Sequence, residues 1–548
     1  GLGTMLGSLI KSQSNDACAE AGGDFKNCLH LHCYGSPPRW MYDLFLNPTN
    51  DATKILANPM VSNVYTGATR YTGATYQQIA YNGTFVPYLW GQQVPRSNGT
   101  TVLASSLLRN LVSIRGINVL NASHPGAANF HHAAVVGEPT LASLTADRAQ
   151  MSPTNLERNV VRATAFNPVP GYVFKSQKGH LPFRYDIGSF NNLTRMFNSL
   201  QPISTDNGFS STFINNKDQL QDKVSAALGA LNPGSVHYYS SLLDNSSRSL
   251  RLLTDSSVQT FSELTSAWDT LFNKYQNLIT ATLGRTYPGI NSKPVGQNFT
   301  AAEQERYQFG QDIYVRNQVG GNVDLRDMLD GVSFDRLAAQ FAVLEFMMSK
   351  QICPSITLHV APFSNLKVNA TRATLGFDQH FTGFMPGILG NSMYYLSFTA
   401  CLLELIEELK RVGTFNDTLI YMNGEFNRAA RVDGGGADHG HTAGSVSLIS
   451  GRINQFKVIG NIYKNSSGPG ATFSNTYRGT WGHAAPIAGL PYLDILQVWG
   501  SVLALLGMPI PDISNLVNKN KLIFNSAGNF QAAAAFNGNP INVDNGST

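Results

Sequence analysis

From residue 356 onward, short apolar runs of strand length alternate with stretches of helical period. Ile356–Ala361 and Thr371–Phe377 read as strands, Ser392–Val412 as an amphipathic helix, and Thr418–Met422, Ser445–Ile449 and Lys457–Ile462 as further strands. Leu493–Leu506 reads as a closing helix. Strands separated by helices pair mainly in parallel, because a parallel partner needs a long crossover connection. The pattern therefore predicts an α/β fold: a central, mainly parallel sheet flanked by helices. Earlier in the chain, Leu29–Tyr34 alternates apolar and polar positions and ends at Gly35-Ser36-Pro37-Pro38, and Leu111–Leu120 reads as a second core strand.

The middle of the chain has a different period. Asn215–Leu231, Val258–Leu283, Ala301–Val319 and Phe334–Lys350 space their apolar residues near 3.6, so residues 195–350 read as a helical insertion or cap within one large domain spanning 1–548. Trp268 and Phe272 sit at helical spacing and read as core. Residues 524–548, rich in Asn, Gly and Ala, read as an extended tail.

Composition narrows the function classes. Only 14% of the 548 residues are charged, against about 25% in an ordinary soluble domain. The polar surface must come from Asn, Ser, Thr, Gly and Gln, which suits an exported protein, in the periplasm or on a cell surface, or one with much of its surface in contact. The net charge of +4 is spread along the chain without a basic run, which argues against nucleic acid as a partner. The longest apolar stretch, Leu493–Met508, carries Asp494 and Gln497 and falls short of the ~18 apolar residues of a membrane span. The opening Gly1–Ile10 is small and apolar; it could be the mature end left after removal of a leader, or an artificial boundary. Cys18 and Cys28 flank a short loop and could form a disulfide in an oxidising compartment, with plain thiols as the alternative.

The residues that bear chemistry cluster late. Asp378 and His380 form Asp-x-His at the end of the Thr371–Phe377 run, Glu425 follows the Thr418–Met422 strand, and Asp438, His439 and His441 lie in a glycine-rich stretch. Carboxylates and imidazoles delivered from strand ends can build a divalent-metal or acid–base site. In parallel sheets ligands bind beyond the carboxyl ends of strands. Each candidate has a plainer alternative: Asp378 could orient a structural His380, the Asp438–His441 loop could be mere surface, and Glu425 could pair with Arg428 or Arg431. His30 with His32, and His131 with His132, read as packing residues; in a strand the second pair would point to opposite faces. His483 is an alternative late ligand.

The order Gly376-Phe377-Asp378-Gln379-His380, then Asn423-Gly424 before Glu425-Phe426-Asn427-Arg428, then Asp438-His439-Gly440-His441, resembles an exported bacterial family known as domain of unknown function 1501, which is similar in fold to the alkaline phosphatase and sulfatase superfamily. The similarity covers mainly residues 375–460. It implies a large α/β sandwich and hydrolysis of phosphate or sulfate esters with bound divalent metal: zinc, calcium or magnesium. Carried across, Asp378, His380 and His439 or His441 would make one metal site. Glu425 takes the place of a metal-binding Asp, and Phe426 that of a neighbouring His, which a phenyl ring cannot replace as a ligand. The first strand lacks the strand-end Asp of active relatives, with Asp43 the first one downstream, and Ser123 and Thr140 are loose candidates for the nucleophile. Two expectations follow. One is an exported metal-dependent ester hydrolase, with Glu425 as ligand or base and Arg428 or Arg431 holding an anionic substrate. The other is an inactive surface, binding or self-assembling protein on the same fold, with homo-oligomers or an outer-membrane partner.

Overall fold

The computed structural model of the chain describes residues 25–39, 41–45, 78–82, 84–119, 121, 123–133, 138–148, 163–166, 183–185, 223, 261–283, 298–299, 323–324, 334–351, 353–360, 366–368, 371–373, 376–380, 384–430, 437–440, 444–459, 493–508, 522–524 and 530–532. Nine strands form its central sheet: β1 (Asn27–Cys33), β2 (Leu111–Asn118), β3 (Thr164–Phe166), β4 (Phe183–Tyr185), β5 (Ser355–His359), β6 (Thr418–Gly424), β7 (Gly444–Ile449), β8 (Lys457–Ile459) and β9 (Leu493–Asp494). Their spatial order is β8-β2-β7-β6-β1-β5-β3-β4, with β9 also paired to β2. All neighbours run parallel except at β7, which is antiparallel to both β6 and β2. The fold is thus mixed α/β with a mostly parallel sheet. β6, Thr-Leu-Ile-Tyr-Met-Asn-Gly, is buried at every position, as a strand covered on both faces must be.

Six helices of eight residues or more belong to the described residues: α1 (His124–His132), α2 (Leu141–Arg148), α3 (Phe261–Leu283), α4 (Asp335–Ser349), α5 (Phe384–Arg411) and α6 (Ile495–Leu505). Period-two alternation along the strands sorts them into two layers. Leu29, Leu31, Ile356, Leu358, Ile420 and Met422 pack with α3, α4 and α5. Cys28, Leu419, Tyr421, Val446 and Leu448 pack with α1, α2 and α6 on the other face. α5 ends where Lys410 and Arg411 occupy its last turn, which suits the negative end of a helix dipole. No helix among the described residues is long and apolar enough to cross a membrane.

Several expected boundaries shift, and one shift changes the geometry of the site. Of the run Thr371–Phe377, Thr371–Ala373 pairs with Leu366–Val368 in a two-stranded ribbon off the main sheet, residues 374–375 lie outside the described residues, and residues 376–377 are not part of a strand. Alternation marks an extended arm and does not say what the arm pairs with. Asp378 and His380 therefore stand on a loop leading to α5 and not at the end of a sheet strand. His131 and His132 close a helix, α1, so the expectation of opposite strand faces does not apply; both are buried. Of the helical middle, α3 and α4 are seen; Asn215–Leu231, apart from residue 223, and Ala301–Val319 lie outside the described residues. So do Cys18, hence the Cys18–Cys28 pairing, and most of the tail; residues 522–524, at its start, pair with residues 530–532 as a short ribbon.

Candidate metal centre

The carboxyl ends of β1, β2 and β6 meet on one rim. β1 runs out into Tyr34-Gly35-Ser36, and β6 into Glu425. The chain after β2 enters α1 at His124. Ser123 starts that helix: its hydroxyl accepts from the Gly126 N–H at 3.3 Å, and Pro125 follows in the first turn, a pairing of cap and proline that begins helices.

Glu425 is fully buried and its two oxygens are both used. Oε1 accepts from the Gly35 N–H at 2.7 Å and faces His124 Nδ1 at 3.0 Å, while Oε2 accepts from the Ser36 hydroxyl at 2.6 Å. The Ser36 Oγ in turn accepts from the Phe426 N–H at 3.0 Å. Burial by itself would raise the Glu425 carboxyl, but the bonds from His124, Gly35 and Ser36 and the nearby His32 hold it below the ordinary carboxylate range. Ser36 reaches this position with φ +47°, in the left-handed region that non-glycine residues seldom occupy. Such backbone strain persists only where the surroundings over-determine it.

Glycine at position 35 lets the Asp-x-His loop close on this frame. Gly35 has φ +99°, and a Cβ there would meet the Phe377 Cβ at 2.9 Å and the Asp378 nitrogen at 3.1 Å. Within the loop, alternate side chains turn inward. Phe377 packs edge-on to Tyr394 with ring centres 5.2 Å apart, and Gln379 exchanges hydrogen bonds with Asn391 at 2.8 and 3.2 Å. Asp378 and His380 turn outward. His439 arrives from the ribbon Asn427–Ala430 with Ala437–Gly440, where it is the cross-strand partner of Arg428.

These pieces converge. His124, Asp378, His380 and His439 each offer one ligand atom, and the four atoms lie within 4.8 Å of one another. His380 Nε2 is 2.8 Å from His439 Nε2. Asp378 Oδ1 is 3.4 Å from both His124 Nε2 and His380 Nε2. The geometry is that of a group able to hold a metal ion. Glu425 sits behind it, bonded to the far nitrogen of His124, as a carboxylate that fixes the tautomer and orientation of a ligand histidine. Arg428, fully buried, donates from Nε to the Ser36 carbonyl at 2.8 Å, from Nη2 to the Gly35 carbonyl at 2.7 Å and from Nη2 to Asp378 Oδ1 at 2.5 Å.

The charges are coupled accordingly. Burial opposes the charged form of His124, but its bonds to Asp378 and Glu425 outweigh that and push the imidazole up to about 9. Asp378 moves the other way: burial would raise it, while His124 and the Arg428 guanidinium hold it well below the usual carboxylate range. Tyr34, whose ring centre is 5.9 Å from His124, is pushed up by burial and by the charges of Glu425 and Asp378, so it stays a neutral phenol at the mouth of the group.

Of the residues singled out in the sequence, Asp378, His380 and His439 stand together. Glu425 and Arg428 lie one layer inward, and the guanidinium spends its donors on the protein. Asp438 is described only in its backbone, which pairs with Ala429. His441, Arg431 and His483 lie outside the described residues. Asp43 is buried and bound to Arg39 and to the Ser447 hydroxyl at 2.7 Å, a structural pairing. The Ser123 hydroxyl, beside His124, also donates to Asn121 Oδ1 at 2.8 Å, and Thr140 is buried with its hydroxyl 3.0 Å from that of Ser143. The residue missed is His124. Its signal was legible: Ser-His-Pro, a helix start, directly after a core strand delivers its side chain to the sheet rim.

Compared with known proteins, the chain matches no family model, and no curated protein is similar enough to be matched.

Proposed function

We propose that this chain is an exported protein that binds one divalent ion at His124, Asp378, His380 and His439 and hydrolyses phosphate or sulfate esters there, on an architecture like that of the sulfatases and alkaline phosphatases. The observation that supports it most is the convergence of those four ligand atoms at the carboxyl rim of a parallel sheet, with the Glu425 carboxylate orienting His124. Three imidazole nitrogens and one carboxylate oxygen favour zinc over calcium or magnesium, which prefer all-oxygen surroundings. The ion would supply Lewis acidity and a water of lowered pKa. The protein's own part is to hold and exclude. Glu425 keeps the His124 Nε2 turned to the site, Arg428 keeps Asp378 ionised and in place, and Tyr34 can donate a hydrogen bond to an anionic substrate oxygen. With the Ser123 and Thr140 hydroxyls engaged in capping, water is the better-supported nucleophile.

A second reading, metal binding without turnover in a surface or self-assembling protein, draws on Phe426. Its ring centre is 4.1 Å from that of His439 and 4.9 Å from that of His124, so an apolar ring lies where a second ion would need a ligand. One experiment separates the readings. The purified chain is analysed for bound zinc and assayed on a panel of aryl phosphates and sulfates beside Asp378→Ala and His439→Ala. A zinc count one ion lower in the variants than in the wild type, with ester hydrolysis lost alongside it, supports the enzyme. Zinc lost in the variants without any hydrolysis supports the second reading. A chain whose rim variants bind as much zinc as the wild type removes both.

A further inference from the structure

Beneath the rim, five more histidines meet. His30 and His32 stand on β1, His359 on β5, and His131 and His132 close α1; each is at most 4% exposed. A structural core tolerates one satisfied histidine easily, but five together need an account, because each ring brings two polar nitrogens out of water.

The hydrogen bonds fix where their lone pairs point. The Asn423 amide oxygen only accepts, and it faces His32 Nδ1 at 2.6 Å and His30 Nε2 at 3.2 Å. Those two nitrogens therefore carry the protons, which leaves His32 Nε2 as a bare lone pair. It is buried and has no hydrogen-bond partner. His359 Nδ1 lies 3.3 Å from the Phe166 carbonyl and so donates to it, which leaves the His359 Nε2 lone pair to accept from the His132 Nε2–H at 3.0 Å; an ion bound here would take the place of that proton, which His132 can carry on Nδ1 instead. His32, tied through Nδ1 to an amide oxygen with Nε2 unpartnered, has the arrangement by which proteins orient ligand histidines.

The three rings also stand at the right separations. The centres of His32, His132 and His359 are 4.8, 4.9 and 5.4 Å apart, with planes inclined by 60°, 63° and 82°. Three imidazoles around one ion, each nitrogen at about 2.0–2.1 Å in tetrahedral directions, put their ring centres about 5 Å apart. Burial pushes His32 and His132 down, so protons do not compete for these nitrogens near neutrality. The fully buried Glu425 carboxylate lies close enough for its charge to act on His32, and it offsets part of the cost of a buried cation. Arg39, which opposes it there, is already paired with Asp43.

We propose a second, deep ion site in which His32, His132 and His359 hold a divalent ion that prefers imidazole, such as zinc, below the rim centre. Among the described residues the rim group has its ligand atoms already drawn within 4.8 Å. In the deep trio the His132–His359 pair is closed, and the His32 ring completes the set by a side-chain adjustment.

The test counts ions in the full chain, produced in zinc-supplemented medium, by elemental analysis. The wild type is expected to carry two zinc ions and the rim-disabled His380→Ala/His439→Ala double variant one. Adding His359→Gln to that double variant should remove the last ion. Cobalt loaded into the rim-disabled chain should give the visible absorption of a nitrogen-ligated ion. A rim-disabled chain that folds and carries no ion overturns the proposal, and that count stands even if His359→Gln fails to fold. If the rim reading fails instead, the wild type carries a single ion that His380→Ala leaves and His359→Gln removes, so the two failures are told apart.

Discussion

The candidate centre has two layers that differ in almost every physical respect. The inner layer, Gly35, Ser36, Glu425 and Arg428, follows directly on β1 and β6, and Ser36, Glu425 and Arg428 are fully buried with their polar atoms bonded across hundreds of residues of chain. The outer layer, Asp378, His380 and His439, rides on a loop and a two-stranded ribbon, with Asp378 49% and His380 31% exposed. His124, at the start of α1, joins the two by bonding Glu425 with one nitrogen and facing Asp378 with the other. The inner layer belongs to the fold, because removing any member strands buried partners. The outer layer can change without stranding buried partners, because water can replace what its side chains lose. Stability and metal affinity should therefore come apart under mutation.

The largest expected effect is at Glu425. Glu425→Ala leaves the Gly35 N–H, the Ser36 hydroxyl and a cationic His124 without their acceptor, a loss of about 3–5 kcal/mol by the measure of broken buried pairs. Denaturant unfolding of the zinc-free chain should read it. Metal affinity should fall as well, by about 10–100-fold, as for other carboxylates behind a ligand histidine. A variant of wild-type stability would break the division into layers.

Gly35→Ala comes next. It forces a Cβ into a backbone at φ +99° and against the Phe377 side chain. About 1–3 kcal/mol is expected from the strained conformation, together with weaker metal binding, since the loop bearing Asp378 and His380 must back away. Loss of stability with unchanged zinc affinity would show that the loop is placed by Phe377 and Gln379 alone.

Acidity sharpens the joint between the layers. In the ion-free chain His124 is raised from 6.5 to about 9. Its contribution to stability is thus fully present below pH 6.5 and lost as the pH climbs through about 9. Thermal unfolding of chelator-treated protein across that window should decline in the wild type, and His124→Gln should flatten the decline. The smallest stability effect is expected at His439. His439→Ala should change ion-free stability by only about 0.5–1 kcal/mol while abolishing one bound zinc. A loss of several kcal/mol would place His439 with the inner layer.

Much of this is legible in the sequence. The buried run of β6, the period of α5 and the alternation of β1 follow from local sequence, because side-chain periodicity reports which faces must leave water. The Asp-x-His pair and the late His439 were recognisable by residue type. The extended start of the Thr371–Phe377 run, Thr371–Ala373, belongs to a ribbon outside the sheet, which local pattern does not reveal. His124 sits 254 to 315 residues before its partners, beyond the reach of any local pattern.

The amino-acid order alone determined the element types and the kinds of ligand available, since these rest on contacts within a few residues and on the period of burial, and the alternation of strands with helices pointed to a mostly parallel sheet. Only the folded chain decided that Glu425 bonds His124 from behind the four-residue group instead of joining it, that Arg428 holds Asp378, and that two groups of histidines lie one below the other. Those outcomes depend on strand order and on which rim each loop reaches. Both are set by packing between segments far apart in the chain, where no local pattern carries the information.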